Sequence, residues 1–289
     1  MTLRSMLFVP GDSERKLARA ASSGADALIL DLEDSVAPTR TAAARGLVLE
    51  YLQSHANRSQ QLWVRINPLD TPAALLDLMV VAGRPCGVMV PKVNSGADVV
   101  QLTHYLAALE VREGVLLGST QVLPVASETA ASMFSLGSYT QCGPRLAGIT
   151  WGAEDLAAAL GASSNRRRDG EYDTVYQMAR ALCLAGASAA SVQAIDTIWA
   201  NFADLDGLAQ DAADARRAGF SGKMAIHPGQ VAVINAAFTP TEAELAWSRR
   251  VVQVFADNPG MGTVGLEGKM LDMPHLKQAR RVLGWVEGT

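Results

Sequence analysis

The sequence predicts a (β/α)8 TIM barrel followed by a C-terminal helical extension. Two observations and one bound carry this. Short apolar, β-rich runs alternate eight times with longer stretches, several of them Ala- and Leu-rich. These runs are continuous rather than alternating, as expected of parallel strands covered on both faces. At 289 residues, 49% hydrophobic and 19% charged, the chain has the length of one such barrel and the composition of a globular enzyme with a large core.

The first strand is SMLFVP (5–10), and SERKLARAASSG follows with Ser13 as the expected cap. The second, ADALILD (25–31), leads to TRTAAARGLVLEYLQSH with Thr39 as cap. After the third, LWVRIN (62–67), Thr71 with Pro72 at the first helical position opens a helix. GVMVPK (87–92) is the fourth strand and precedes ADVVQLTHYLAALEVREG. VLPVAS (122–127), LAGITW (146–151), SVQAID (191–196) and KMAIHP (223–228) complete the set, with DTVYQMARALCLAGAS before the seventh. A doubly wound sheet is the structural rival, but no GxGxxG follows the first strand. The alternation ends near Phe238, which assigns the barrel to residues 1–238. The extension, 239–289, opens with a capping box of Thr241 and Glu244, turns Gly-rich and then becomes helical again. A barrel closes without such a tail, so the tail is expected to act as a lid or to contact a neighbour.

Net charge is −4 and the basic residues are dispersed apart from Arg166, Arg167 and Arg168, so nothing points to nucleic acid. The three cysteines form no CxxC pair or zinc pattern, which suits a reduced, cytoplasmic setting. The N-terminal MTLRSMLFVPGDSERK carries too short an apolar run for a signal peptide. No stretch reaches the roughly 18 apolar residues of a membrane span.

In such barrels chemistry sits at the C-terminal ends of the strands. Those ends carry Asp31, Glu33 and Asp34, then Arg65, Lys92, Glu128, Glu154 and Asp155, Asp196 and His227. Acids and cations gathered on one rim suggest a site for both a cation and an anion. A hard divalent cation such as magnesium takes one or two carboxylates and keeps waters or substrate oxygens elsewhere. The candidates are Asp31, Glu33, Asp34, Glu128, Glu154, Asp155 and Asp196, and spacing does not choose among them. Glu128, on an otherwise apolar strand end, is the costliest to leave unpaired. In WGAEDL, Gly152 permits close backbone approach and the following helix offers free N–H groups to a carboxylate. Asp155 in that first turn equally complements the helix dipole. Arg65 suits two-point recognition of a carboxylate or oxyanion; the plainer role is an ion pair with Asp31 or Glu33 closing the rim. His227 beside a proline reads as structural. The run Asn165–Arg168 reads as a solvated loop, with a phosphate seat as the sharper alternative. Trp151 packs, and walls the pocket if the neighbouring acids bind metal.

Together RSMLFVPGD, GADALILDLEDSV, VRIN, VPKV, ETAAS, WGAEDLAAALGA, AIDT, GKMAIHPGQV and GKMLDMPHLKQARRVL resemble the citrate lyase β-subunit-like family of the HpcH/HpaI aldolase group. That group includes malyl-CoA and citramalyl-CoA lyases, and the resemblance spans essentially the whole chain in order. It implies a magnesium-dependent carbon–carbon lyase, usually a homotrimer, acting on a 3-hydroxyacyl thioester. It places the metal ligands on Glu128 and Asp155 and the grip on the keto-acid oxygens on Arg65. The turn Gly152, Ala153, Glu154, Asp155 would hold the keto-acid carboxylate. Asp272 falls on the acid/base residue, delivered from a neighbouring subunit. Asp31 and Glu33 become residues that hold Arg65 and waters of the metal rather than the metal itself. Arg15, Lys16 and Arg40 lie where relatives meet CoA phosphates.

Within this chemistry the rival substrate is a citryl group on an acyl-carrier protein, as for the β subunit of citrate lyase. A rival of another class is a barrel that binds CoA or keto acid without turnover, although Glu128, Asp155, Arg65 and Asp272 are all present. A phosphosugar isomerase lacks its Gly-rich phosphate loop here. The sequence leaves the acyl group, the keto acid and the direction open.

Overall fold

The structure, a computed structural model, describes residues 2–56 and 59–287. Its first eight strands are β1 (Ser5–Pro10), β2 (Ala27–Asp31), β3 (Gln61–Arg65), β4 (Gly87–Val90), β5 (Gln121–Pro124), β6 (Gly148–Ile149), β7 (Gln193–Asp196) and β8 (Gly222–Ala225). Each falls within or against one of the eight apolar runs. The helices between and after them are α1 (Glu14–Ala20), α2 (Thr41–Ser54), α3 (Pro72–Asp77), α4 (Gly96–Arg112), α5 (Ala153–Leu160), α6 (Thr174–Ala189), α7 (Leu205–Ala218) and α8 (Pro228–Phe238). The strands are parallel neighbours in the order β5-β4-β3-β2-β1-β8-β7-β6. The seam between β5 and β6 is closed by single pairs, Val122 with Leu146 and Val125 with Thr150. Across it the Thr150 amide donates to the Pro124 carbonyl at 3.1 Å. This is the expected eight-stranded barrel. One unit departs from the strand–helix repeat: two 3-10 turns (131–134 and 136–141) stand between β5 and β6, and two helices follow β6.

The side-chain period of two explains the continuous apolar runs. Met6, Ala27, Ile29, Trp63, Met89, Leu123, Val125, Ile195 and Met224 form one buried cluster inside the barrel. The intervening Leu28, Leu30, Val64 and Val88 are equally buried, on the opposite side of the strands. Behind β7 and β8 a buried ionic cluster takes the place of apolar packing. Lys223 Nζ, wholly buried, lies 2.7 Å from Asp196 and 2.6 Å from Asp211, and Arg180 joins Asp196 at 2.7 Å.

Caps follow the sequence unevenly. Thr71 accepts from the Ala74 amide at the start of α3, as expected. Ser13 occupies the cap position of α1 without a side-chain hydrogen bond. Thr39 does not cap α2: Pro38 starts a 3-10 turn, Pro38–Arg40, and Arg40 stands at the cap. The fixed φ of Pro38 begins the turn early and places Thr39 inside it.

The chain forms two compact units, the barrel, Leu3–Ala236, and a C-terminal unit, Ala237–Thr289, to which Met1–Thr2 also belong. In the latter, α9 (Glu242–Ala256) starts with the anticipated capping box of Thr241 and Glu244. The Gly-rich stretch proves to be a hairpin, β9 (Thr263–Leu266) with β10 (Lys269–Asp272), before α10 (Met273–Glu287). Its turn residues Glu267 and Gly268 both have positive φ, 50° and 75°, as a two-residue hairpin turn of this hand requires. Val251, Phe255, Val264, Leu271, Leu276 and Ala279 give this unit its own core. Among the described residues no helix is long and apolar enough to cross a membrane.

Gly87 makes room for Trp63 in the barrel interior: a Cβ there would stand 2.4 Å from Trp63 Cζ3 and 2.6 Å from the Gln121 carbonyl. Gly87→Ala is therefore expected to destabilise by about 1–3 kcal/mol. Urea unfolding would read this as a lower midpoint at unchanged slope. An unchanged midpoint would mean that Trp63 does not fill the space above Gly87.

Candidate active site

The C-terminal strand ends surround a cavity of about 400 Å3, every lining residue of which belongs to the barrel unit. Phe8, Met89, Val125, Ile198 and Met224 line it with apolar surface. Asp31, Asp34, Arg65, Glu128, Glu154 and Asp155 supply its charges.

Asp31 and Arg65 are register partners on β2 and β3, so both side chains turn to the same face. Arg65 Nε and Nη2 donate to the two Asp31 oxygens at 2.6 and 2.7 Å. Arg65 Nη1 lies 2.9 Å from Glu33 Oε2, and the guanidinium carbon sits 4.8 Å from the centre of the Phe8 ring. Burial opposes the Asp31 charge, but the Arg65 hydrogen bonds and charge outweigh it and lower the pKa. Burial opposes the Arg65 charge too, and Asp31 and Glu33 outweigh it. The rim ion pair is thus present, and the same guanidinium lines the cavity.

Glu128 follows β5 and is 5% exposed. The Lys92 amide donates to its Oε2 at 2.7 Å. Burial, then the charge of Asp155, pushes its carboxyl up to about pKa 8. Gly152 is what admits it, since a Cβ there would stand 2.8 Å from Glu128 Oε1. Gly152 caps α5, and Asp155 lies in the first turn of that helix. The amides of that turn have no intrahelical acceptor and form the positive end of the helix dipole. Lys92 Nζ reaches Asp155 Oδ1 at 3.3 Å and also pairs with Glu33. Burial works against the Lys92 charge, but these acids raise its pKa.

Among the described residues no three His, Cys, Asp or Glu side chains gather as a complete metal cage. Two carboxylates in one cavity, one of them deeply buried and short of positive partners, instead fit a hard cation that keeps water or substrate oxygens in its other positions. The donor set therefore suits a divalent cation beside Glu128, with Asp34, Glu154 and Asp155 lining the same cavity.

The cavity gathers Asp31, Arg65, Glu128, Gly152, Ala153, Glu154 and Asp155, with Glu33 bonded to the rim cations. It does not gather Arg15 and Lys16, exposed on α1, or Arg40, whose Nη2 donates to the Asp12 carbonyl at 2.9 Å. Asp272 ends β10 in the C-terminal unit, with its Oδ1 2.5 Å from His275 Nδ1. Asp196, a metal candidate on spacing, is held by Lys223, Arg180 and, at 2.8 Å, the Trp151 indole N–H. Its side chain serves the cluster behind the strands. His227 accepts from the Gly229 amide and stacks on Phe202. Arg166 is used internally, 3.8 Å above the Tyr172 ring and bonded to the Gly170 carbonyl, while Arg167 and Arg168 are exposed on the same loop. Sequence reasoning passed over several site residues, Lys92, Thr150 and Thr197 among them. Lys92 was visible only as one of several strand-end charges. Thr150, whose buried hydroxyl has no protein partner, had no signal in its apolar run.

A parallel barrel with an acid-rich, cation-braced mouth defines a class of enzyme that handles small anionic substrates with a divalent metal. Comparison with known proteins narrows this. Residues 4–228 match the family described as HpcH/HpaI aldolase/citrate lyase, and the chain belongs to that family. It is 35% identical to citrate lyase subunit beta of Haemophilus influenzae over 97% of this chain and 95% of that protein. It is 31% identical to the mitochondrial citramalyl-CoA lyase of Rattus norvegicus over 97% and 85%. The crystal structure of CitE from Mycobacterium tuberculosis in complex with magnesium, acetoacetate and coenzyme A is similar at a TM-score of 0.80 and 34% identity, covering 98% of this chain and 97% of that one.

With metal removed by a chelator, Glu128 has a folded pKa of about 8 against an ordinary 4.5. Its contribution to stability is full below the unfolded value and is lost as pH rises through the folded one. Glu128→Gln should therefore gain on the unsubstituted protein by about 1–2 kcal/mol between about pH 6 and pH 8.5. Urea midpoints in EDTA read this, and parallel curves would mean Glu128 is already charged without metal.

Proposed function

We propose that this family member is a carbon–carbon lyase, an oxo-acid lyase that uses magnesium to cleave or form a 3-hydroxyacyl-CoA thioester such as citramalyl-CoA or malyl-CoA. The products of cleavage are acetyl-CoA and a small 2-keto acid. The observation that carries this is the charge of the cavity. Among its described lining residues Asp31, Asp34, Glu128, Glu154 and Asp155 outnumber Arg65, and the acids stay in excess after Lys92, which pairs with Asp34 and Asp155 from the rim, is counted. An anionic keto acid is repelled from such a site until a divalent cation enters. The named relatives, with citrate lyase, citramalyl-CoA lyase and a magnesium- and CoA-bound structure among them, support the same reading.

Magnesium held by Glu128 and Asp155 supplies Lewis-acid polarisation of the oxygen that becomes a carbonyl. The chain's own residues do the rest. The α5 amides from Gly152 to Asp155 take the keto-acid carboxylate. Arg65, locked by Asp31, presents fixed positive charge to the hydroxyl oxygen once its proton has passed to solvent; as the carbon–carbon bond breaks that oxygen becomes the keto carbonyl and the electron pair moves to the thioester enolate. Asp272 gives a proton to the thioester α-carbon in cleavage and removes it in condensation. In this reading the protein is a cytoplasmic homotrimer that supplies Asp272 from a neighbouring subunit. Arg15, Lys16 and Arg40 meet the CoA phosphates.

The apolar lining favours a keto acid with a small uncharged substituent, pyruvate or glyoxylate. The second carboxylate of oxaloacetate finds no further cation among the described lining residues. Somewhat higher identity to a citrate lyase β subunit than to citramalyl-CoA lyase, 35% against 31%, favours a second reading, a citryl group on an acyl-carrier protein.

Keto-acid release from citramalyl-CoA and malyl-CoA, with and without EDTA, tests the proposal. EDTA-sensitive release from either supports it; release from neither, with oxaloacetate formed from a citryl carrier, moves the assignment to the second reading. Asp272→Asn is expected to keep keto-acid binding and lose on the order of 10²–10⁴-fold in turnover. Equal loss of binding and turnover would make Asp272 structural.

A further inference from the structure

Lys92 follows β4 and adopts φ of 52°, a left-handed conformation that few residues other than glycine take. This backbone aims its amide at Glu128 Oε2, 2.7 Å away. The side chain meanwhile reaches Glu33, Asp34 at 3.5 Å and Asp155 at 3.3 Å. One residue therefore touches both carboxylates assigned to the metal, one by its main chain and the other by its ammonium. Among the described residues the ion pair with Lys92 is the only one Asp155 makes. Glycine would relieve the backbone at this position, yet the chain carries a long cationic side chain there. An observed outlier of this kind is a reason to look for a task.

We infer that Lys92 is the positioning residue of the metal site: its amide fixes Glu128, and its ammonium is a built-in counter-ion that competes with the divalent cation for Asp155. The inference rests on the metal assignment made under the proposed function. Without metal, the ammonium offsets the mutual repulsion of Glu33, Asp34 and Asp155. When a cation enters, Asp155 changes partner and the ammonium stays on Glu33, so the brace on Arg65 through Glu33 is kept. Coulomb repulsion between the ammonium and a divalent ion a few ångströms away then weakens metal binding. The site accordingly trades metal affinity for order in the metal-free state.

Lys92→Met, a neutral side chain of similar length, separates these effects. Titration calorimetry with magnesium alone is expected to give binding on the order of tenfold tighter than in the unsubstituted protein. The chelator-treated variant should melt lower, because Glu33, Asp34 and Asp155 lose the cation they share. Lys92→Gly keeps the amide, relieves the left-handed backbone and removes the ammonium. It should reproduce the tighter binding with a normal circular dichroism spectrum, which guards against a folding defect in the Met variant. Equal or weaker magnesium binding in both variants would overturn the counter-ion role and leave the lyase reading standing. Absence of magnesium binding to the unsubstituted protein would overturn the metal assignment and this inference with it.

Discussion

The pairing of Asp31 with Arg65 holds the mouth of the barrel together. Parallel register places the two directly opposite each other at the ends of β2 and β3. A slip of one residue would turn both away from the cavity and bring Leu30 and Val64 inward. Arg65 is largely buried, and Asp31 and Glu33 offset the cost of taking its charge out of water. The acids that end LILDLED thus have distinct tasks. Asp31 fixes a guanidinium, and Glu33 ties that guanidinium to Lys92.

The same logic divides the carboxylates of the cavity into two kinds. Asp31 has a dedicated cation and stays charged below the ordinary range. Glu128 has one backbone amide, deep burial and a like-charged neighbour, and its carboxyl rises to about 8. Two acids on one rim with opposite shifts are a mark of separate roles. The first is part of a rigid frame; the second waits for charge from outside. On the metal assignment proposed above, a cation binding Glu128 at neutral pH would displace a proton, so that metal loading and proton release would be one event.

Strand existence, order and parallel pairing were legible because parallel strands covered on both faces must be continuously apolar, and all eight runs became strands. The direction of each strand-end side chain was less legible. Asp196 and Thr197 are adjacent, yet Thr197 lines the cavity while Asp196 turns to Lys223 and Arg180 behind the strand. Spacing names such residues without saying which face each takes when a strand gives way to a loop. The hairpin 263–272 was hidden for another reason. Its turn rests on Glu267 at positive φ, and a glutamate there carries no turn signal of its own. Lys92 was missed because its contribution is split between backbone and side chain, and residue type reports only the second.

Glu128 shows why these illegible features matter to chemistry. One oxygen is approached by the amide of a left-handed lysine, and the other borders a glycine whose missing Cβ leaves the space it occupies. Both neighbours let a carboxylate sit deeper than ordinary backbone would allow. Depth is what raises its pKa, since burial outranks every other influence on this group. Depth also lowers the effective dielectric, so any opposite charge brought beside the carboxylate acts more strongly than it would at the surface. On the proposed assignment, a cation held there would polarise substrate oxygens in the same poorly screened space. The backbone irregularity at Lys92 and the vacancy at Gly152 therefore belong to the site as much as the acids do, because they set the electrostatic medium in which the acids work.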